Sequence, residues 1–579
     1  MGNTNKKESP RNPPKEDMIP IQPSLNDSKA FTAKPLMESQ RQFRVKDNQI
    51  IAQNEIASQR NQFLTFRPRF KEQGSQYFIK REKNPSLRFI KGLSSLDCTL
   101  YQRFSKDFKY IPQTKALRAL KLSLVKDDLL TSEKGISSIK DIKTLKYLRN
   151  IQINCEYHAR MSHKMINFLF TSLKYCSNLV VVQLNIYNRL YISKELLTSL
   201  FRTLRGLKSL NPLSVLELKF YRLDSIKDED IETLMKSLEF HKNLSKLSLQ
   251  FSECFRVADE LLESFGLCLR SLQNLSFLKL DVSPCYALTD AGMEHLYGGI
   301  SAMKPNCSLD LRFTGCKHLT FCNFLKGTQD NSIASLNLAI NFEESIHYKQ
   351  RNIFSQIEAG LSSLKSLTWD FAFCDLDDNE IEEFSLILKK NKVLTYLDLN
   401  FTHCHKLTNE TLFCLSYAFG SFHALSVLRI TSLESEKFYT QGFKTFFLSL
   451  ERLQSLRELK LSFIRGLYLN DEDLKFLSQA LEGLKCLSVL DLDCSACRNI
   501  TDAALEILSF ALKNLKNLRK FFLRFDGALT DEGFDNFGSF LKGMKSLFYF
   551  ELSAYISREG GYGSTKKITS SSRNQLRLK

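Results

Sequence analysis

At 579 residues the chain exceeds what one compact core organises, so several domains or a repeat array is expected. Its 43% hydrophobic content excludes a mostly disordered chain, and no run of about 18 apolar residues offers a membrane span. The formal charge of +18 is concentrated at the ends, with 16 Lys and Arg against 9 Asp and Glu in residues 1–85 and six against Glu559 in residues 555–579, so the nearly balanced middle disfavours nucleic acid as a partner.

The opening MGNTNKKESP is polar throughout and is not a secretory signal, and Lys6 stands where N-myristoylation favours Ser or Thr. Fifteen Cys without such a signal read as reduced thiols of an intracellular, cytoplasmic protein. Residues 1–75 hold Pro10, Pro13, Pro14, Pro20, Pro23 and Pro35 among polar and charged residues, which predicts a disordered basic segment. Residues 76–110, with YFIK and SLRFIKGL, are apolar enough to form an N-terminal cap over the array that follows.

From residue 111 to 555 the apolar residues repeat. Leu244, Leu247, Leu249 and Phe251 have the spacing L-x-x-L-x-L-x-F, which returns at Leu394, Leu397, Leu399 and Phe401 and at Leu456, Leu459, Leu461 and Phe463. The leading position falls at Leu117, Leu148, Leu179, Leu213, Leu244, Leu275, Asn306, Ile333, Leu364, Leu394, Leu425, Leu456, Leu487, Leu518 and Leu547, a period close to 31. Alternation predicts a strand in each unit, with Leu120, Leu122 and Leu124 on one face and Ala119, Lys121 and Ser123 on the other. Seventeen residues before a leading position stand Thr289, Asp377, Thr408, Asn470, Thr501 and Thr530, residue types that cap helix N-termini. Asp377 and Glu380 have capping-box spacing, and Leu505, Leu508, Ala511 and Leu512 share one helical face.

One strand and one helix cannot bury their apolar faces alone, but stacked units do so and extend a parallel sheet. A helix is about 10 Å wide and paired strands lie only ~4.8 Å apart, so the stack bends with helices outside and the sheet on the concave face. The expected fold is an α/β solenoid, a horseshoe of about 15 strand–helix repeats.

This pattern resembles the ribonuclease-inhibitor-like class of leucine-rich repeats. Cys254, Cys285, Cys316, Cys374, Cys404 and Cys497 recur at near multiples of 31 and are expected to form a buried ladder. The loops CYALTD, CKHLT and CHKLTN resemble the cysteine-containing repeats of F-box substrate adaptors, with two extra residues between the last strand Leu and the Cys and no F-box ahead of the array. Residues 556–579 are rich in Gly, Ser and Lys and predict a flexible basic tail.

No phosphate loop, nucleophile elbow or metalloprotease motif occurs, so no enzyme and no cofactor is expected. Cys316 and His318 lie three repeats from His403, Cys404 and His405, about 14 Å by strand spacing, which is too far for one metal ion. The informative surface is the polar column between the strand leucines: Lys121, Gln152, Gln183, Glu217, Ser248, Lys279, Asp310, Asn337, Thr368, Asp398, Arg429, Lys460, Asp491, Phe522 and Glu551. Its mixed sign is not that of a phosphate track. Asp370, Tyr396, Asp398 and Asn400 beside Arg429 and Lys460 form the candidate partner-binding patch, since Tyr and Arg anchor interfaces well.

The expected function is a non-catalytic protein–protein interaction scaffold that binds partner proteins on its concave face, with basic ends able to touch an acidic protein surface. The repeats are also similar to those of leucine-rich-repeat subunits of ciliary axonemes, which implies a cytoskeletal or axonemal place. Other repeat proteins of this kind imply two alternatives: a ubiquitin-ligase substrate receptor and a Ran-type GTPase-activating protein, whose tail is acidic where this one is basic.

Overall fold

A computed structural model describes residues 95–100, 116–124, 141–155, 168–187, 200–207, 213–222, 226–316, 333–339, 361–556, 564–571 and 577–578, short gaps aside. Met1–Ser75 and Gln76–Lys579 are separate units. The expected disordered segment 1–75 and most of the expected cap 76–110 lie outside the described residues.

The second unit is built on one sheet. Its strands begin with β1 (Ser95–Leu100), β2 (Ala119–Leu124), β3 (Asn150–Cys155), β4 (Val181–Tyr187), β5 (Val215–Tyr221) and β6 (Lys246–Ser252). They continue with β7 (Phe277–Asp281), β8 (Cys307–Arg312), β9 (Ile333–Ala339), β10 (Ser366–Asp370), β11 (Tyr396–Asn400) and β12 (Val427–Thr431). The last are β13 (Glu458–Ser462), β14 (Val489–Cys494), β15 (Lys520–Phe525), β16 (Tyr549–Ile556), β17 (Ser564–Ser571) and β18 (Arg577–Leu578). Between them run α1 (Asp228–Leu238), α2 (Asp259–Leu269), α3 (Asp290–Ile300), α4 (Asp378–Lys390) and α5 (Asn409–Phe419). Four more follow: α6 (Thr440–Leu450), α7 (Asp471–Gly483), α8 (Asp502–Asn514) and α9 (Asp531–Gly543).

Strands β1 to β16 pair in parallel, each with the next in the chain, so the fold is a leucine-rich-repeat solenoid of alternating strands and helices. The central polar column runs in register from Lys121 to Glu551. Alternate residues Leu120, Leu122, Leu247, Leu249, Leu397 and Leu399 are buried in one continuous core. Phe fills the last apolar place of many strands, and these rings pack from unit to unit: Phe220 and Phe251 stack with centroids 5.4 Å apart, and Phe371 and Phe401 with centroids 5.5 Å apart. Asn306 does not hold a core position. It is exposed with φ of 69°, and Cys307 takes the buried place through a register shift between Cys307 and Ser308.

All six expected caps stand at helix N-termini and accept from the first-turn amides, and Asp377 with Glu380 closes a capping box. A second set of bonds ties the caps together across units. The first residue of one helix, an Asp, accepts from the backbone N–H and hydroxyl of the Thr that caps the next. Asp259 holds Thr289 at 2.7 and 2.5 Å, Asp378 holds Thr408 at 2.9 and 2.7 Å, Asp471 holds Thr501 at 2.9 and 2.7 Å, and Asp502 holds Thr530 at 3.0 and 2.6 Å. Each carboxylate also sits at the positive end of its own helix dipole.

Residues 556–579, expected as a flexible tail, contain a strand instead. β17 runs antiparallel to β16 from Ser564 to Ser571, and β18 adds to it. The cause is the open edge that a parallel array leaves at its last strand: unpaired amides and carbonyls there accept a returning chain. Ile568 is buried against the core, and Lys566 pairs with Asp531 and Asp535 on α9.

Asp378 receives four bonds in all, the other two from the amide and hydroxyl of Thr411, which is fully buried. Asp378→Ala should therefore cost about 3 kcal/mol in urea denaturation, because one buried and one half-buried hydroxyl and two amides lose their acceptor. Asp375→Ala, which breaks only the exposed pair with Lys406, should stay within about 0.5 kcal/mol of the parent.

Candidate functional site

The candidate patch lies on β10, β11, β12 and β13, and beneath its β10–β11 end Trp369 packs on Phe371 and Phe384, with Phe371 stacked on Phe401. Register sets Asp370 beside Asn400, and Asp398 between Thr368 and Arg429. The Asn400 Nδ2 donates to Asp370 Oδ1 at 2.8 Å, and the Ala372 amide donates to the same oxygen at 3.1 Å. One strand position away, the Tyr396 hydroxyl donates to Asp398 Oδ2 at 3.0 Å and accepts from Arg429 Nη1 at 3.0 Å. The guanidinium lies 3.6 Å from Asp398 and 2.6 Å from Glu458, and its carbon is 5.5 Å from the Tyr396 ring centroid.

Five of the six candidate residues therefore fall into two linked groups, Asp370 with Asn400 and Asp398 with Tyr396 and Arg429. The sixth, Lys460, neighbours Arg429 on the next strand and makes no ion pair among the described residues. Burial holds the carboxyls of Asp398 and Asp491 above the usual carboxylate range, and the Lys460 charge pulls both part of the way back. Glu458 was not among the expected residues. It sits in the flanking column, which the spacing marks no differently from a solvated position, and it holds the other side of Arg429.

Burial dominates the electrostatics here. It pushes the Asp398 carboxyl above the usual carboxylate range despite Arg429, Tyr396 and Lys460 pulling it down. It likewise raises Asp370 against the bonds from Ala372 and Asn400, and it raises the Tyr396 phenol, with Asp398 adding to the effect. Elsewhere on the concave face opposite charges also pair, as Lys279 does with Asp310 at 3.2 Å and Arg524 with Asp491 at 3.2 Å. The surface is a preorganised mesh of charged and aromatic groups with few free ends.

The loop cysteines Cys254, Cys285, Cys316, Cys374, Cys404 and Cys497 are all buried as free thiols. Their Sγ atoms lie against carbonyl oxygens of neighbouring units: Cys404 reaches Phe371 at 3.1 Å and Cys497 reaches Phe463 at 3.0 Å. Burial pushes the thiols of Cys316 and Cys497 up to about 12. His318 lies outside the described residues, and among the described residues no three His, Cys, Asp or Glu stand together as metal ligands.

No family model matches the chain, and no curated protein is similar to it. Among solved structures, it is similar to the tropomodulin C-terminal domain of Caenorhabditis elegans, at 16% identity over 28% of this chain and 89% of that one, with a TM-score of 0.23. It is also similar to TLR13 in its complex with ssRNA13, at 15% identity over 75% of this chain and 64% of that one, with a TM-score of 0.27.

Two tests follow from the burial. Both donors to Asp370 reach Oδ1, so Asn keeps those bonds and removes the charge. Because the folded-state carboxyl is raised above its unfolded value, the charged form weakens the fold as pH climbs through the carboxylate range, and the penalty is absent below it. Asp370→Asn should melt higher than the parent at neutral pH, with the gap closing as pH falls toward about 4. A water-soluble maleimide followed by peptide mapping should modify the exposed Cys486 and spare the six loop cysteines until urea opens the array.

Proposed function

We propose that the chain is a non-catalytic scaffold that holds a partner protein against the concave stretch β10–β13. The observation that carries this reading is the pre-tied network of Asp370, Asn400, Tyr396, Asp398, Arg429 and Glu458 on a stiff, aromatic-packed sheet. Side chains already immobilised by each other lose little entropy when a partner covers them, and a half-buried Tyr–Arg pair supplies an interface anchor. Asp398 is engaged with Tyr396 and Arg429, an arrangement of fixed donors and acceptors that suits recognition. Lys460, which forms no ion pair among the described residues, stands at the edge of the patch and matches an acidic group on the partner.

In a cell this scaffold works in the cytoplasm as a cytoskeletal or axonemal component, a placement that rests on the resemblance of its repeats to those of axonemal subunits. Among the described residues no helix is long and apolar enough to cross a membrane.

Proximity labelling from the tagged full chain in its native cell identifies the partner. Lys460→Glu, which breaks no ion pair among the described residues, should then lower recovery of that partner at least tenfold with the array still folded by circular dichroism, although the new carboxylate beside Asp398 and Asp491 lowers the melting temperature. Full recovery with Lys460→Glu and with Tyr396→Phe would show that the patch is not the binding surface. A tag that localises to the nucleus instead would remove the axonemal placement.

A further inference from the structure

All helices of the array point one way and all strands of β1–β16 the other, so every helix-to-strand connection emerges on the same edge. Ten such connections among the described residues lead from the short helix Asp141–Thr144 or from α1 to α9 into the next strand. Together they carry twelve Lys and Arg against Glu239 and Glu451. All twelve cations are exposed, and none forms an ion pair among the described residues. The last helical turns add Lys236, Lys389, Lys390, Lys513 and Lys542. The opposite edge is the reverse, with fifteen Asp and Glu in the first turns of the nine helices among the described residues. Helix dipoles favour this arrangement, since cations suit C-termini and anions suit N-termini. The two edges are nevertheless treated differently: Asp259, Asp378, Asp471 and Asp502 are tied to the caps of the next units, whereas the twelve cations of the connections are exposed and form no ion pair among the described residues.

The same edge also exposes large apolar groups among its lysines. Tyr147 and Tyr175 are 62% and 64% exposed, Phe548 is 55% exposed, and Phe240 carries the Arg205 guanidinium 4.7 Å above its ring. Two hollows open there, one of about 590 Å³ lined by Lys365, Lys390 and Lys392 and one of about 580 Å³ lined by Lys513, Lys516 and Lys545.

We infer that this basic edge docks on an anionic lipid bilayer. Thirteen strand steps separate β3 from β16, so the row extends about 60 Å along the sheet. A bilayer is a flat anionic surface broad enough to meet the whole row at once, and exposed aromatic rings between lysines are the side chains that settle at headgroup depth. Each lysine-lined hollow accepts a phosphate-bearing headgroup. A single nucleic-acid strand is gripped in a groove with successive stacking platforms. This row is an edge, and its aromatic groups recur only every few units. The inference does not depend on the concave patch.

The test uses the full chain and sedimentation with vesicles of phosphatidylcholine, alone or with roughly a third phosphatidylserine. Binding is expected only to the anionic vesicles, and it should weaken steeply as salt rises. Reversing Lys146, Lys242, Lys485 and Lys516 to Glu should lower the partition coefficient by about 100-fold or more, and changing the same four to Gln should lower it less. Should the Glu variant misfold by circular dichroism, the Gln variant alone decides. Tyr147→Ser with Phe548→Ser should weaken binding without changing its salt dependence. Equal binding to neutral and anionic vesicles would overturn the inference, as would wild-type affinity in the Gln variant. Capture of an oligonucleotide in place of vesicles would overturn it, and so would salt-sensitive self-association in place of vesicle binding.

Discussion

Each strand–helix unit has two apolar flanks that only its neighbours can cover, and the rest of the structure follows from that dependence. The covering must be repeated at every junction with the same geometry, so the leucines, the Phe of the last strand place and the loop cysteines hold one position from unit to unit. Stability is then a property of junctions rather than of units. The Asp-to-Thr bonds are the polar counterpart of this packing. They couple the start of one helix to the start of the next, so that unwinding one cap leaves a carboxylate of its neighbour unpaired. An array built this way has a difficulty at its ends, where the last flank and the last sheet edge have no neighbour. At the C-terminal end, β17 turns back to pair antiparallel and Ile568 covers the core beside it.

The same repetition organises charge. In a globular domain helices point in many directions and their end charges scatter over the surface. Here the nine α-helices among the described residues are parallel, so residues chosen for each helix end accumulate into one acidic and one basic edge. The concave face lies between them and is different again, because cross-strand neighbours of opposite sign sit close enough to neutralise each other. A net charge of only about +6 over the long middle of the chain therefore conceals two strong and opposite fields. Averaging along the sequence hides them, since each repeat contributes both signs about fifteen residues apart.

That contrast marks where the fold was legible. Positions set by a fixed spacing within one unit could be read directly, as with the caps Thr289, Asp377, Thr408, Asn470, Thr501 and Thr530 and the polar column through Asp398. Asn306 was misplaced because a left-handed turn shifts the buried position by one residue, a backbone event with no side-chain mark. The Asp-to-Thr bonds join residues 28 to 30 apart and become visible only when consecutive units are laid over each other. The strand at Ser564–Ser571 reads as a tail by composition, because the unpaired edge of β16 that draws it in leaves no mark in the tail's own sequence. In the candidate site the column gave Asp398 and Arg429, yet the role of Glu458 depends on which of several flanking side chains bends toward the guanidinium. Packing decides that, not spacing.

The two surfaces differ in how they would hold a partner. On the concave face Tyr396 lies between Asp398 and Arg429, and Arg429 is held from both sides, so shape and hydrogen-bond geometry are set before anything binds. Such a surface discriminates: a partner must match fixed donors and acceptors, and a mismatch leaves half-buried charge without a counterpart. The basic edge has long, independent lysine side chains that adapt to any anionic plane, so its attraction is broad and falls with salt. Because the core between the two is continuous and close-packed, occupying one need not disturb the other. One chain can thus keep a selective grip and a non-selective one on separate walls, with the parallel sheet holding them in fixed relation.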